Sequence, residues 1–270
     1  MTTPPLSHSP SLHRLELLVG APAIEKLAAT RVIVFGLGGV GSWCAEALIR
    51  SGIGTLAIVD SDVVCVTNIN RQVQAMPSTV GKSKCAELAE RLRAIQPLAT
   101  ITEIPGVFNK TTAGEFDLGR YDYVIDAIDS LSAKVELIIR ATQAGAKVYS
   151  ALGASNKLDP AQIAVASLWD SYNCRLGKFV RKRLRRRGFN SEVTCIYSPE
   201  EREPFKGKSV GGTGNCLCPK ATEDAQSPHE WCSSQKQING SAVHITGTFG
   251  FLLAGLVIQD VAAKILAPPD

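Results

Sequence analysis

The sequence predicts an α/β fold with a doubly wound, mainly parallel, Rossmann-like sheet and a less regular C-terminal half. Strand and helix patterns alternate clearly over the first 150 residues, and this βαβα order favours a parallel sheet with right-handed crossovers. A glycine-rich turn, "GLGGVG", joins the first strand to the helix that follows it. The chain has 270 residues and is 45% hydrophobic, so it can bury a sizeable core as one large domain or two small ones.

Five short apolar runs are predicted to be strands: "RVIVFG" (31–36), "TLAIVD" (55–60), "TITEI" (100–104), "YVIDAI" (123–128) and "KVYSAL" (147–152). Helical spacing of apolar residues predicts the helices between them, on positions 40, 43, 44, 47 and 48, on positions 85, 88, 89 and 92, and around 133–144. Gly52 and Pro97 end the first two helices. In such a sheet, ligands bind beyond the carboxyl ends of the strands.

The second half of the chain is less regular. "QIAVASLW" (162–169) is predicted to be a further strand and is followed by a basic helical stretch. Residues 198–240 are rich in Gly, Pro, Ser and charge, which predicts a long mobile loop. The apolar run 245–258 is shorter than the roughly 18 residues of a membrane span, so we expect a buried core or interface helix. The first 14 residues do not resemble a signal peptide and are expected to fray.

The glycine-rich turn is a candidate phosphate-binding loop. Gly36, Gly38 and Gly41 match G-x-G-x-x-G, which cradles a pyrophosphate on backbone amides at a helix N-terminus. Asp60 ends the second strand 19 residues after Gly41, where a carboxylate can bond a ribose hydroxyl. These residues suit a dinucleotide as well as ATP, and the loop alone does not decide between them.

The residues that follow Asp60 favour ATP. Asn68, Arg71 and Lys84 come next, and cations of this kind stabilise the charge that builds on a leaving pyrophosphate. Asp126 ends a strand on the ligand side of the sheet, where a carboxylate suits Mg²⁺. Singly, these residues could be a surface charge, a solvated helix residue and a helix cap. In the non-enzymatic alternative, an NAD-binding sensor that associates with nucleic acid, Lys84 and Asp126 would have no task.

Four motifs, "GLGGVGSW", "DSDVVCVTNINRQ", "VGKSK" and "DAIDS", resemble the ThiF/MoeB/HesA family, whose members are relatives of ubiquitin-activating enzymes. The resemblance implies an enzyme that adenylates a carboxylate with ATP and Mg²⁺. It assigns Gly36, Gly38, Gly39 and Gly41 to the phosphate loop, Asp60 to the ribose, Asn68, Arg71 and Lys84 to the phosphates, Asp126 to the metal, and Arg14 to the ATP of a partner subunit. It also implies a homodimer, with the final apolar helix and part of the glycine-loop helix near the interface.

Two branches of the family stay open. One adenylates the C-terminus of a ubiquitin-like sulphur-carrier protein, and many of its members hold zinc with two C-x-x-C pairs, which this sequence lacks. The chain most resembles the other branch, the tRNA threonylcarbamoyladenosine dehydratases. These enzymes activate the threonyl carboxylate as an acyl adenylate, and an attack within the modified nucleoside then closes a ring and releases AMP. The net change is the loss of one water.

The stretch "CRLGKFVRKRLRRRG" (174–188) is the candidate tRNA contact. Four apolar residues keep helical spacing among its cations, so one face can dock on the protein while the other faces phosphate. The residues proposed to bind RNA are Arg181, Lys182, Arg183, Arg186 and Arg187. The ordinary alternative is a solvated basic face. On this basis the chain divides into an ATP-binding adenylating region (1–157) and a region of the same domain (158–270) that holds the tRNA-binding helix, the mobile loop and the interface helix.

The eight cysteines leave two hypotheses. Cys232, in "PHEWCSSQ", matches the region where the dehydratases carry a cysteine, and it is a candidate nucleophile or an ordinary buried thiol. Cys195, Cys216, Cys218 and Cys232 could instead hold a metal, although the usual pair spacing is missing. Without an export signal, we expect a cytoplasmic protein with reduced thiols, with no obligatory membrane partner, and with a sulphur-transfer or carrier protein as an alternative partner.

Overall fold

The computed structural model describes residues 5–203 and 239–266. The strands of its sheet are β1 (Arg31–Phe35), β2 (Thr55–Val59), β3 (Thr100–Ile104), β4 (Tyr123–Asp126), β5 (Lys147–Ala151), β6 (Ala164–Ser167) and β7 (Thr194–Tyr197). Their order is β3-β2-β1-β4-β5-β7-β6, and neighbouring strands are parallel except β6 and β7. From β1 the chain builds outward to β2 and β3 on one side and to β4 and β5 on the other. This is the doubly wound, mainly parallel sheet that the sequence predicts.

Helices cover both faces of the sheet. They are α1 (His13–Val19), α2 (Ala21–Ala29), α3 (Gly41–Arg50), α4 (Lys84–Ile95), α5 (Leu131–Gln143), α6 (Arg175–Arg186) and α7 (Val243–Leu266). One apolar layer packs α2, α3, α4 and α7 on the sheet, and the other packs α5 and α6. Along β1, Val32 and Val34 face the first layer, while Ile33 and Phe35 face the second. Strands covered on both faces read as continuous apolar runs, which is why the sequence located them well.

One strand escaped the sequence analysis. β7 is only four residues long, "TCIY", and it lies between β5 and β6. It buries Cys195 and Ile196, and it makes β6 the antiparallel edge strand of the sheet. Most of the loop predicted for 198–240 lies outside the described residues, so that prediction is untested there.

The expectation of a fraying N-terminus is wrong for the residues described. Two 3₁₀ turns, Leu6–His8 and Pro10–Leu12, lead into α1 and bury Leu6 and Leu12. Leu12 packs on Gly52, where a Cβ would lie 2.9 Å from the Leu12 side chain. Gly52 also has a φ of +84°, a conformation that favours glycine. A side chain at this position would therefore disturb both the packing of Leu12 and the end of α3.

The final helix is longer than the sequence indicated. Residues Val243–Ile265 are long and apolar enough to cross a membrane by length and composition, with a mean hydropathy of 1.6, so the expectation that this run is too short is corrected. Yet 56% of its most apolar window is buried inside the protein. The helix approaches α3 so closely that a Cβ at Gly250 would lie 2.6 Å from the Val40 carbonyl oxygen. Such burial is characteristic of a core helix.

Candidate active site

The carboxyl ends of β1, β2 and β4 meet at one edge of the sheet and bring the predicted nucleotide-binding residues together. The glycine-rich turn follows β1, Asp60 follows β2, and Asp126 is the last residue of β4. Phe35, at the end of β1, pairs with Val59 on one side and with Asp126 on the other. The chain runs from β1 to β2 and β3 on one side and then crosses back to β4 on the other side of β1. A crevice forms at this edge where the direction reverses, which is where doubly wound sheets bind ligands.

The glycine-rich turn packs tightly on the neighbouring strand but stays open at its tip. Gly36 has a φ of +86°, and a Cβ there would lie 2.8 Å from the Ala127 carbonyl oxygen. At Gly41 a Cβ would lie 1.8 Å from the Gly36 carbonyl oxygen, so only glycine fits. At Gly38 a Cβ would have no neighbour within 4 Å, whereas at Gly39 it would meet Thr246 of α7 at 3.0 Å. The open tip gives a phosphate access to the loop backbone at the start of α3.

Asp60 and Lys84 form a polar cluster next to this turn. The Asp60 carboxylate accepts hydrogen bonds from the Leu37 N–H at 2.7 Å and from the Asp62 N–H at 2.8 Å. Lys84, at the start of α4, is 6% exposed, and its Nζ lies 2.7 Å from Asp62 Oδ2 and 3.9 Å from Asp60 Oδ1. Burial raises the pKa of Asp60, and attraction to Lys84 opposes that rise. Asp60 therefore orients the glycine loop, and its predicted contact with a ribose stays a prediction.

A second buried polar residue supports the same loop. The Gln74 amide donates to the Leu37 carbonyl oxygen at 2.9 Å. Its other atom, Oε1, is buried and has no hydrogen-bond partner among the described residues. Sequence reasoning missed Gln74, although a polar residue inside "RQVQAM" was a usable signal.

Asn68 and Arg71 lie on the segment between β2 and α4. Asn68 is buried, and its side-chain oxygen accepts the Cys65 N–H at 3.0 Å. Arg71 is half-buried and donates to the Thr67 carbonyl oxygen at 2.7 Å, and its partial burial lowers the pKa of its guanidinium. Trp43 Nε1 donates to the Arg71 carbonyl oxygen at 3.0 Å and ties this segment to α3. The structure thus places Asn68 and Arg71 on a segment fastened to the glycine-loop helix.

Asp126 is the centre of a buried network. Its Oδ2 lies 2.7 Å from Lys134 Nζ and 2.7 Å from Ser150 Oγ, and its Oδ1 accepts the Ile128 N–H at 3.2 Å. Lys134 and Asp126 are both 0% exposed, and Lys134 also donates to the Ala151 carbonyl oxygen at 2.8 Å. Both carboxylate oxygens are occupied beneath the surface. The predicted role of Asp126 as a direct Mg²⁺ ligand therefore does not fit this geometry.

Asp129 is the exposed carboxylate of the same loop. It follows β4 by three residues, on the open side of the sheet, and α5 begins two residues later at Leu131. The motif "DAIDS" contains both carboxylates, and the first one is still inside the strand, which explains its burial. Lys134 was also missed, although a lone lysine in the apolar run "AKVELII" indicates a buried partner.

Two other predicted residues, Arg14 and Cys195, are not joined to the crevice by the contacts described. Arg14 is exposed on α1, which packs mainly on α2. Cys232, like Cys216 and Cys218, lies outside the described residues. Cys195 is buried in β7, where desolvation raises the pKa of its thiol to about 12. Within residues 5–203 and 239–266, no three His, Cys, Asp or Glu side chains cluster as a metal site would require.

The basic helix α6 divides its cations between two faces. Arg181 turns inward and hydrogen-bonds Ser171, and Arg187, just beyond the helix, donates to Glu136 Oε2 at 2.7 Å. Arg183 donates to Ser132 on α5 at 2.8 Å. Each of these three arginines thus has a partner within the protein, and their contact with RNA stays a prediction. Four exposed cations with no such partner among the described residues share the outward face: Arg175, Lys178, Lys182 and Arg186.

The chain resembles known proteins in both sequence and fold. Residues 11–268 match the ThiF family. The chain is 36% identical to the Haemophilus influenzae tRNA threonylcarbamoyladenosine dehydratase, over 90% of this chain and 89% of the relative, and 37% identical to that of Bacillus subtilis, over 93% and 94%. It also resembles a crystal structure of the Escherichia coli tRNA N6-threonylcarbamoyladenosine dehydratase in complex with ATP, with a TM-score of 0.77, 30% identity and coverage of 94% and 95%. The chain therefore belongs to the ThiF family.

Proposed function

We propose that the protein is an ATP-dependent enzyme that cyclises threonylcarbamoyladenosine in tRNA. The carrying observation is the crevice at the ends of β1, β2 and β4, in which an open glycine loop lies beside Asp60 and Lys84. This crevice belongs to a chain more than a third identical to tRNA threonylcarbamoyladenosine dehydratases over nine-tenths of its length. The ATP complex of the E. coli dehydratase supports ATP rather than NAD as the ligand.

The chemistry has two balanced steps. An oxygen of the threonyl carboxylate attacks the α-phosphorus of ATP, so that an acyl adenylate forms and pyrophosphate leaves. An atom of the same nucleoside then attacks the acyl carbon, the bond to AMP breaks, and a ring closes. The nucleoside loses one water overall, and the free energy comes from the cleaved ATP. Holding both reacting groups in one nucleoside makes the second step intramolecular, which lowers its entropic cost.

The cations of the crevice would serve the first step. Lys84 and Arg71 can stabilise the charge that develops on the leaving pyrophosphate, and this stabilisation is largest at a site shielded from water. In the structure Lys84 is paired with Asp62, whose side chain is 51% exposed. A triphosphate would compete with Asp62 for Lys84, and the freed Asp62 would turn to solvent.

We assign the Mg²⁺ that such a reaction requires to Asp129. A carboxylate oxygen is the hard ligand that Mg²⁺ prefers, and Asp129 is the exposed carboxylate at the end of β4. Bound there, Mg²⁺ would neutralise phosphate charge. Asp126 would hold the loop through Lys134 and the Ile128 N–H. Asp129→Asn should weaken Mg²⁺ binding at unchanged melting temperature, whereas Asp126→Asn should lower the melting temperature. The opposite pattern would return the metal to Asp126.

The outward face of α6 is the proposed tRNA contact. Its four exposed cations can neutralise phosphates, and α6 starts at the same edge of the sheet as the crevice, since a Cβ at Gly177 would lie 2.8 Å from Leu152, directly after β5. Twelve helical residues extend about 18 Å, which spans several nucleotides. A tRNA lying along this face would have one end at the nucleotide crevice.

We further propose a homodimer that forms on α7. Phe251 of this helix is 53% exposed, and half-buried Leu252, Gly255 and Leu256 extend the same apolar strip. Phe251 rests edge-on against Trp43 of α3, with ring centroids 5.7 Å apart, so the glycine-loop helix adjoins the strip. Light scattering should give twice the monomer mass of 28.8 kDa, and Phe251→Arg should restore the monomer. A monomeric wild type would refute the dimer.

We place the enzyme in the cytoplasm, with its tRNA substrate.

One experiment separates this function from the alternative of a sulphur-carrier-adenylating enzyme. Modified tRNA is incubated with enzyme and ATP, and its nucleosides are analysed by mass spectrometry. Loss of one water from threonylcarbamoyladenosine, dependent on ATP, is the expected result. Unchanged tRNA, together with ATP–pyrophosphate exchange that a ubiquitin-like carrier stimulates, would favour the alternative.

A further inference from the structure

Exposed aromatic rings are concentrated around α6. Among the described residues, three aromatic side chains are more than a third exposed: Tyr172 (56%), Phe179 (41%) and Phe251 (53%). Phe251 belongs to the proposed dimer face, whereas Tyr172 and Phe179 lie within eight residues of each other. Exposed rings of this size forgo the free energy of burial, so two in one segment indicate a surface that is covered by a partner.

The segment that carries these two rings is strongly cationic, although Asp170 lies two residues before Tyr172. Residues 171–188 contain eight Lys and Arg side chains and no Asp or Glu. Phe179 lies one turn after Arg175 and one turn before Lys182, within the outward face. An apolar protein partner would have to desolvate these charges, whereas RNA supplies phosphates to pair with them and base faces to cover the rings.

Tyr172 lies at the end of this surface that is nearest to the nucleotide crevice. Its ring contacts Tyr197, the last residue of β7, edge-on, with centroids 5.7 Å apart and an interplanar angle of 70°. β7 is three strands away from β1, which corresponds to about 14 Å across the sheet. A ring at that distance from the glycine loop could contact nucleotides adjacent to the one being activated.

We propose that Tyr172 and Phe179 stack on unpaired bases of the tRNA loop that carries the substrate nucleoside, while the outward cations of α6 hold its backbone. This inference rests on the proposed function and adds to it the two side chains that would contact bases next to the substrate nucleoside. In a duplex the base faces are already stacked on one another, so rings on the protein gain nothing from them. In a loop the bases can splay out and stack on aromatic side chains. The surface should therefore select a single-stranded loop over a paired stem.

The test compares two RNA probes by fluorescence anisotropy: a stem–loop with the sequence of the tRNA loop that carries the substrate nucleoside, and a blunt duplex with the same number of phosphates. Tyr172→Leu and Phe179→Leu remove the rings, Tyr172→Phe and Phe179→Tyr keep them, and Val107→Ala, at an exposed site elsewhere, is the control. Each Leu variant should bind the stem–loop about tenfold more weakly. Duplex affinity and the salt dependence of binding should not change, because no phosphate contact is lost. The ring-retaining variants should behave like wild type, and thermal melting checks that every variant is folded.

The outcomes separate this inference from the function beneath it. Equal losses on stem–loop and duplex, or no loss in the Leu variants, would overturn the stacking role while wild-type cyclisation of tRNA leaves the function intact. Binding of wild type to phosphatidylserine vesicles that is lost in the same Leu variants, without a loss of RNA affinity, would assign the rings to a lipid surface. A wild-type protein that neither binds the stem–loop nor cyclises tRNA would remove the function and the inference together.

Discussion

Both the nucleotide crevice and the basic helix α6 contain charged side chains, but these side chains differ in their burial and in their ion pairing. In the crevice, Lys84 is 6% exposed and Lys134 is 0% exposed, and each lies 2.7 Å from a carboxylate oxygen. On α6, Lys182 and Arg186 are exposed and have no partner among the described residues. The same contrast occurs at the end of the helix, since Arg187, the residue that follows α6, pairs with Glu136.

The contrast indicates that the role of a Lys or Arg side chain in this protein depends on its ion-pair partner rather than on its residue type. Lys134, whose partner Asp126 is equally buried, holds a loop in one geometry, and removing either partner leaves a charge that water cannot reach. Lys84 differs, because its partner Asp62 is 51% exposed and can be exchanged for a phosphate. An exposed cation without a partner contributes little to stability and remains available for phosphate. Each of the following measurements tests one side of this comparison, from the largest expected effect to the smallest.

Lys134→Met should cost the most stability. It leaves the Asp126 carboxylate buried and without its cation, and breaking such a pair costs about 3–5 kcal/mol. Urea unfolding at neutral pH measures the loss. The double variant Asp126→Asn/Lys134→Met should recover part of it, because no buried charge then remains. A loss below about 1 kcal/mol in Lys134→Met would show that the network does not hold the loop.

Lys84→Ala should chiefly reduce turnover. If Lys84 stabilises the leaving pyrophosphate, the rate of ATP-dependent water loss should fall about a hundredfold or more. Arg93→Ala, on the same helix α4 but paired with Glu103, is the matched control and should retain activity. A hundredfold slower enzyme that still binds ATP supports the role in the transition state. Activity equal to that of the control would remove Lys84 from the site.

The two faces of α6 should respond oppositely to mutation. Lys182→Ala/Arg186→Ala should flatten the slope of log Kd against log salt by about 1.5, because two phosphate contacts are lost, with stability unchanged. Arg187→Ala should leave the slope unchanged and lower the urea midpoint, because it breaks the ion pair with Glu136. If Arg187→Ala flattens the slope as strongly, the division of the helix into two faces is wrong.

A smaller and pH-dependent effect is expected at the opposite end of the sheet. Burial opposes ionisation of Asp260, but hydrogen bonds from Lys147, Tyr123 and Lys264 lower its pKa to about 2. A lowered pKa stabilises the fold above the unfolded value near 4, and that stabilisation disappears as the pH falls towards 2.

Asp260→Asn should therefore cost about 1 kcal/mol at pH 7, after allowance for solvent screening. The difference from wild type should shrink as the pH drops below about 4. Urea midpoints measured across this pH range test the expectation, with Glu90→Gln, at an exposed position on α4, as the control. A difference that stays constant down to pH 3 would show that the ion pairs around Asp260 do not stabilise the fold.

The fold was largely predictable because buried parallel strands are apolar on both sides. Four of the five runs predicted between residues 31 and 152 carried that signal, and all five are strands. The fifth, "TITEI", is the edge strand β3, in which only Ile101 is buried. β7 was not predicted because "TCIY" is only four residues long, so its pairing with β5 and β6 defines it. The full length of α7 was not predicted, because the residues after 258 include the polar residues Gln259 and Asp260. Asp260 is held by tertiary contacts that a local sequence pattern does not contain.

The site was predictable in its location but not in the orientation of every side chain. Spacing brought the glycine loop, Asp60 and Lys84 to one edge, because parallel strands end together. It did not reveal that Asp126 points inward to Lys134, since that depends on where β4 ends. Nor did it reveal that Arg181 turns towards Ser171, because the tilt of α6 on the protein decides which cations face outward.

On α6, residues that pack in the core alternate with exposed cations, and this arrangement limits how the helix could be re-engineered. Gly177, Val180 and Leu184 anchor the helix in the core, and the exposed cations occupy the turns between them. Exchanging the whole segment for that of a homologue would change the core-packing residues and the exposed cations at once. Exchanging only the outward positions would keep the anchor and replace the recognition surface, so a library confined to that register should yield folded variants with altered RNA preference.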